Sequence, residues 1–228
     1  MFGKNLKLKP DHKDSNILKV TNIFGTFQGE GPYTGYPSIF IRLSGCNLAC
    51  SFCDTEFDEY EELSVDEIIH IGNEKFQGFC KTEASTKPLI VITGGEPMRQ
   101  NISILCKKLL DRGHIIQIES NGTIISPDLP SEVKIVCSPK FSNGKYHRIR
   151  DDILERAIAI KFIVSEDNPE YSDIFDVGQK DFNLPVYIQP MDEYDPEKNE
   201  KNLALAMKLA MKHGGILSLQ IHKMIGIE

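Results

Sequence analysis

Short runs rich in Val, Ile and Phe alternate with segments of helical period along this 228-residue chain, and that alternation limits the fold more than any other feature. The apolar runs are Ile17 to Phe24, Ser38 to Ser44, Pro88 to Thr93, Ile115 to Glu119, Val133 to Cys137, Ala157 to Val164, Pro185 to Gln189 and Ile216 to Ile221. Helical period marks Ser64 to Phe76, Asn101 to Arg112 and Asn202 to His213. The first of these opens with Ser64 and Glu67 in capping-box spacing, and the other two stop before Gly113 and Gly214, which suit a C-cap. Strand and helix in turn predict an α/β fold with parallel strands and ligands at the strands' carboxyl ends. No fixed-period repeat or Ser/Gly linker divides the chain. Residues 17–228 therefore read as one domain, and the polar, lysine-rich residues 1–16 as a flexible arm.

Charge and hydropathy exclude several classes of function. The net charge of -7 argues against a protein that grips nucleic acid through its phosphates. No stretch approaches the roughly 18 apolar residues of a membrane-spanning helix. The opening MFGKNLKLKPDHKDSN has no apolar run of the kind a secretory leader needs, so the expected location is cytoplasmic, with no nucleic-acid or membrane partner. An acidic run, Glu56 to Glu62, and a basic one, Lys140 to Arg150, read as solvated faces.

Six cysteines in a reducing compartment do not suggest a disulfide framework. Cys46, Cys50 and Cys53 fall within eight residues, in GCNLACSFCDT, whereas Cys80, Cys106 and Cys137 stand alone and read as packing residues. The C-x3-C-x2-C spacing places three thiolates around one compact metal centre. A structural zinc normally takes four protein ligands and would need Cys80 or His114 as the fourth. An ordinary iron-sulfur cluster also takes four cysteines, so three on one loop leave an iron open to bind something else.

That spacing after a strand resembles the radical S-adenosylmethionine enzymes. The resemblance implies a partial parallel (β/α) barrel of the radical SAM type, a [4Fe-4S] cluster on Cys46, Cys50 and Cys53, and S-adenosylmethionine on the open iron. Ile92-Thr-Gly-Gly-Glu-Pro97 follows a strand, and its two glycines let a ligand approach the backbone. It looks like the segment that meets the amino group of S-adenosylmethionine in that superfamily, through Gly95 and Glu96. Phe52, Cys53, Asp54, Glu119, Ser138 and Lys140 are the other cofactor contacts implied.

FQGEG at 27–31, IRLSGC, CDT, TGGEP, ESNGT, SPK and the closing LQIHK together resemble the 7-carboxy-7-deazaguanine synthase family, from about residue 20 onward. The implied reaction converts 6-carboxy-5,6,7,8-tetrahydropterin to 7-carboxy-7-deazaguanine with loss of ammonia. Phe27, Gln28, Gly29, Glu30, Arg42 and Thr93 are the implied substrate contacts, with Glu228 at the chain's end adding a negative charge where relatives bring their terminus toward the substrate. Thr55 matches a position that helps hold Mg2+. The resemblance also implies a homodimer and a reducing electron donor such as a flavodoxin or ferredoxin. His222 and Lys223 follow the last apolar run and suit the rim of a mouth. A glycyl-radical-activating enzyme is the nearest rival, but FQGEG and Arg42 suit a small carboxylated ligand better than a protein substrate. An adaptor or electron-transfer protein would need the fourth metal ligand.

Overall fold

The computed structural model describes residues 5–13, 16–50, 53, 59–81, 87–142 and 144–227. Eleven strands occur among them: β1 (Ile17–Phe27), β2 (Pro37–Leu43), β3 (Glu61–Ser64), β4 (Leu89–Gly94), β5 (Ile116–Ser120), β6 (Lys134–Cys137), β7 (Phe141–Ser142), β8 (Lys145–Tyr146), β9 (Ala157–Val164), β10 (Val186–Pro190) and β11 (Ile216–Leu217). The helices are α1 (Val65–Cys80), α2 (Ser103–Asp111), α3 (Asp151–Leu154), α4 (Pro196–His213) and α5 (Ile221–Met224). Nine strands form one sheet in the order β11-β10-β9-β6-β5-β4-β2-β1-β3, and β7 pairs with β8 in a separate ribbon.

From β2 to β11 the pairing is parallel throughout, as the alternating pattern predicts. These strands are near-continuous apolar runs because helices cover them: Leu89 to Ile92 are at most 2% exposed. Each such side chain contributes about 1.5–3 kcal/mol on burial. α1 buries Val65, Ile68, Ile69, Gly72 and Phe76 along one stripe, and its capping box forms as expected, with Ser64 and Glu67 each accepting from the other's backbone N–H.

The other edge departs from the expectation of parallel strands. β1 runs antiparallel to both β2 and β3. The link between β1 and β2, residues 28–36, is too short for the dozen or more residues of a parallel crossover. It turns through Gly31 at φ 67° and Gly35 at φ 89°, conformations that favour glycine. β3 takes Glu61 and Glu62 out of the run read as a solvated face, although both stay exposed. Lys19 pairs with Glu62 at 3.9 Å along this charged edge strand, which discourages further pairing.

Element ends also shift. α4 begins six residues before Asn202, because Asp195 accepts hydrogen bonds from Glu197 N and Lys198 N and Pro196 fits the first turn. Gly214, at φ 65°, caps it as expected. The run Ile216 to Ile221 is a strand only to Leu217, and Ile221 opens α5. Cys106 and Cys137 are fully buried and Cys80 packs against the core, so the three lone cysteines are packing residues. Within residues 1–16, read as a flexible arm, Leu8 N donates to Cys46 O and Asp11 N to Arg99 O.

Candidate active site

The carboxyl ends of the parallel strands open into one cavity of about 760 Å³. Thr93 and Gly94 reach it from β4, Glu119 and Ser120 from β5, Ser138 and Lys140 from just beyond β6, Lys161 and Ile163 from β9, and Gln189 from β10. Phe24 and Phe27 of β1 and Phe40 of β2 supply the apolar side, and Arg42 of β2 lines the cavity with them. Phe24 and Phe40 stack at 5.3 Å, and the Arg42 guanidinium sits 5.8 Å above the Phe24 ring. Arg42 lies beside Thr93 because β2 and β4 are paired in that register.

Cys46, Cys50 and Cys53 share another wall of the same cavity. Among the described residues no three His, Cys, Asp or Glu side chains stand as a preformed metal-ion site. The sulfurs nonetheless have the surroundings a thiolate-bound cluster requires. Leu48 N–H donates to Cys46 Sγ at 3.4 Å and Asn5 Nδ2 to Cys53 Sγ at 3.5 Å. Burial pushes the Cys46 thiol up to about 11, the Leu48 amide opposing it and the neighbouring Cys50, Cys53 and Glu96 adding to it. Burial also raises Cys50, against the pull of Lys140 and Lys7. Loading a metal cluster here therefore releases protons. The proposed fourth zinc ligands are engaged elsewhere: Cys80 ends α1 against the core, and His114 Nδ1 meets Pro88 O at 3.1 Å. Three half-buried thiols on one ligand-sized cavity fit a cluster with an open iron.

The glycine turn after β4 is built for close approach. Gly94 sits at φ 126°, where an added Cβ would lie 2.0 Å from Leu43 O; at Gly95 it would lie 2.2 Å from Gly45 O. The turn is thus pressed onto the segment leading into Cys46. Glu96, expected to meet a ligand ammonium group, lies away from the cavity wall and is fully buried. Its carboxylate accepts from Met98 N, Asn121 N and Ser120 Oγ, at 3.1, 2.7 and 3.0 Å. Burial raises its pKa to about 7 despite these donors. These bonds tie the β4 and β5 turns together.

Glu30, Glu119 and Lys161 form the charged centre of the cavity. Lys161 Nζ lies 2.5 Å from Glu30 Oε2 and 2.9 Å from Glu119 Oε2. Gln220 Nε2 donates to Glu30 Oε1 at 2.7 Å, and Gln117 Nε2 to Glu119 Oε1 at 2.6 Å. Burial pushes the Glu30 carboxyl up, but Lys161 and Gln220 outweigh it and hold the pKa at about 2. Burial disfavours the Lys161 charge, yet the two carboxylates hold its pKa above the ordinary lysine value. Lys161 is a charged cavity residue that sequence reasoning missed. Its one signal was a lone cation inside the apolar run AIAIKFIV.

Other predicted residues are placed as follows. Phe27, Gln28, Glu30, Arg42, Thr93, Gly95, Glu119, Ser138 and Lys140 line the cavity. Lys140 Nζ donates to Ser138 O and Oγ, so the start of the basic run turns inward, while Arg148 and Arg150 make surface ion pairs. Gly29 lies behind His222, and its carbonyl accepts from Ile221 N at 3.1 Å. His222 and Lys223 reach the cavity from α5. Phe52, Asp54, Thr55 and Glu228 lie outside the described residues.

No family model matches the chain. Among curated proteins, a 7-carboxy-7-deazaguanine synthase of Rickettsia prowazekii (strain Madrid E) is 50% identical over 228 residues, covering all of this chain and 96% of the relative. A second, of Rhodospirillum rubrum, is 33% identical over 247 residues and covers both chains fully. Among solved structures, that of QueE from Escherichia coli superposes with a TM-score of 0.65 at 26% identity, covering 90% of this chain and 94% of that one. That likeness identifies the mostly parallel sheet as the partial barrel of the radical S-adenosylmethionine fold. The strand-end cavity, the three cysteines on its wall and full-length similarity to these relatives lead to one conclusion: the chain belongs to the 7-carboxy-7-deazaguanine synthase family of radical S-adenosylmethionine lyases.

Proposed function

We propose that this chain converts 6-carboxy-5,6,7,8-tetrahydropterin to 7-carboxy-7-deazaguanine in the cavity described, with Cys46, Cys50 and Cys53 holding a [4Fe-4S] cluster. The observation that carries this reading is that the three thiols and the Glu30–Lys161–Glu119 centre line one cavity. When bound, the cluster and S-adenosylmethionine supply one-electron and hydrogen-transfer chemistry that amino-acid side chains lack.

The protein's own residues bind, orient and keep charges in place. Arg42 presents a fork of donors suited to a substrate carboxylate, beside the Thr93 hydroxyl. Glu30 is ionised across the physiological range and offers acceptors to the N–H groups of an aminopyrimidinone ring. Lys161 lies between Glu30 and Glu119 and bonds to both, so the two side chains are fixed without rearrangement. Phe24, Phe27 and Phe40 give the ring an apolar wall and exclude water. Gly95, Ser138, Lys140 and Glu119 face the space beside the cysteines, which suits the amino, carboxylate and ribose groups of S-adenosylmethionine. Phe52 and Asp54 on the cysteine loop complete that set, and Thr55 offers a hydroxyl to Mg2+, a hard cation that prefers oxygen. Glu228, the chain's last residue, belongs with the substrate contacts.

A reducing electron donor such as a flavodoxin or ferredoxin would deliver the electron, in the cytoplasm, to a homodimer of this chain. No helix among the described residues is long and apolar enough to cross a membrane. The test is oxygen-free reconstitution with iron and sulfide, followed by reductant, S-adenosylmethionine and the carboxylated tetrahydropterin. Deazaguanine product detected by mass, with one ammonia per product, is the expected result; its absence, with the cluster loaded, would overturn the assignment.

A further inference from the structure

The N-terminal segment is fastened to the loop that carries the cysteines. Lys7 and Cys46 form a parallel bridge, and Leu8 N donates to Cys46 O at 2.8 Å. Arg99, buried behind the glycine turn, donates through Nη1 to Lys9 O at 3.1 Å and through Nη2 to Ser44 O at 3.3 Å. Asp11 N returns a bond to Arg99 O at 2.7 Å, and His12 Nε2 meets Met98 O at 2.9 Å. The turn into the first cysteine is shaped to admit this packing. Gly45 sits at φ 85°, and a Cβ there would lie 2.8 Å from Arg99 Nη2 and 2.9 Å from Leu8 Cδ1. These contacts set the position of Asn5, whose side-chain amide donates to Cys53 Sγ at 3.5 Å.

We propose that residues 5–12 are a structural part of the cluster cradle and that Asn5 is a positioning residue, donating a hydrogen bond to the Cys53 sulfur that favours the reduced cluster. The proposal rests on the reading that Cys53 is a cluster ligand. An N–H donor withdraws electron density from a ligating sulfur, and hydrogen bonds of this kind are one of the levers that set cluster potential. Reduction adds negative charge to the cluster and its sulfurs. The donor therefore interacts more strongly with the reduced form, and the bond raises the potential. Lys7 and Leu8 are bonded to Cys46 and Asp11 to Arg99, so cluster environment and N-terminal segment are mechanically joined.

The test compares the reconstituted full-length chain with Asn5→Leu and Asn5→Asp, both close to asparagine in size. The first removes the donor and the second replaces it with a negative charge. The readout is the ratio of reduced to oxidised cluster at one fixed, mediator-poised potential, followed by electron paramagnetic resonance. The expected order is wild type highest, Asn5→Leu a few-fold lower and Asn5→Asp lower again, with iron content equal in all three. Equal ratios in the three proteins would overturn the role of Asn5 while leaving the cluster assignment intact. Failure of the wild-type chain to take up any cluster would overturn both.

Discussion

The Lys161 ammonium lies 2.5 Å from Glu30 and 2.9 Å from Glu119, joining β9 to the turn after β1 and to β5 in the interior of the cavity. The lysine is 5% exposed, the two glutamates 18% and 15%. Removing it strands two carboxylates in a poorly solvated site. Lys161→Met is therefore expected to cost about 3–5 kcal/mol of stability. Acidification from neutral toward pH 5 should also stabilise the variant more than the wild type, where Glu96 alone gives that trend. In the wild type Glu30 has a depressed pKa, so its contribution is present above about 4.5 and is lost as pH falls toward 2. In the variant one carboxylate takes up a proton, so acidification from neutral toward pH 5 should stabilise it. Urea titrations of both proteins across that range would show it.

Glu96 carries a second pH dependence. Its pKa is about 7 in the folded protein against an ordinary 4.5, so the folded state holds a proton that the unfolded chain releases between these values. The stabilisation is fully present below pH 4.5 and is lost as pH rises to about 7, a change of about 3 kcal/mol. Glu96→Gln should lack this slope. It should also be less stable at every pH, because its amide N–H group would face the Met98 or Asn121 donor that the carboxylate now accepts.

Gly29 faces His222 with no room for a side chain: a Cβ there would lie 1.8 Å from His222 Nδ1. Gly29→Ala is expected to push α5 off the rim and raise the substrate KM several-fold. Adding His222→Ala removes the obstructing ring. A double mutant with the KM of His222→Ala alone would confirm that the two residues act through one contact; simple multiplication of the two effects would contradict it.

Arg42 pairs with Thr93 in the sheet and sits over Phe24. Arg42→Ala should weaken binding of the carboxylated pterin about tenfold or more, the loss of a charge-assisted bidentate contact, and leave S-adenosylmethionine binding nearly unchanged. Calorimetric titration with each ligand separates these outcomes. Equal losses would remove Arg42 from its substrate role.

Much of this site was legible because its residues fall at strand ends, where periodicity reveals them. Thr93 and Glu119 close apolar runs, Arg42 and Ser138 lie within two residues of the end of one, and the three cysteines carry their own spacing. Lys161 was not legible. It lies inside a run whose hydrophobicity marks only a buried strand, and its partners come from 131 residues earlier and from β5, two strands away in the sheet. Glu96 was legible only in position: the sequence places it beside the site, and the donors of Met98, Ser120 and Asn121 decide which way its carboxylate turns. The antiparallel edge was concealed by similar apolar runs in β1 and β2, although the short glycine-rich link between them held the information. The lysine-rich N-terminal stretch has no apolar period, and its fastening depends on backbone bonds that composition does not encode.

The most direct measurement concerns the iron that the three cysteines leave open. The chain should be reconstituted without oxygen, reduced, and followed by electron paramagnetic resonance before and after addition of S-adenosylmethionine, with iron and zinc counted in the same samples. About four irons per chain, a cluster signal that changes on adding the sulfonium, and loss of both in Cys50→Ala are the expected results. A chain that binds zinc instead, or a cluster signal indifferent to S-adenosylmethionine, would contradict them.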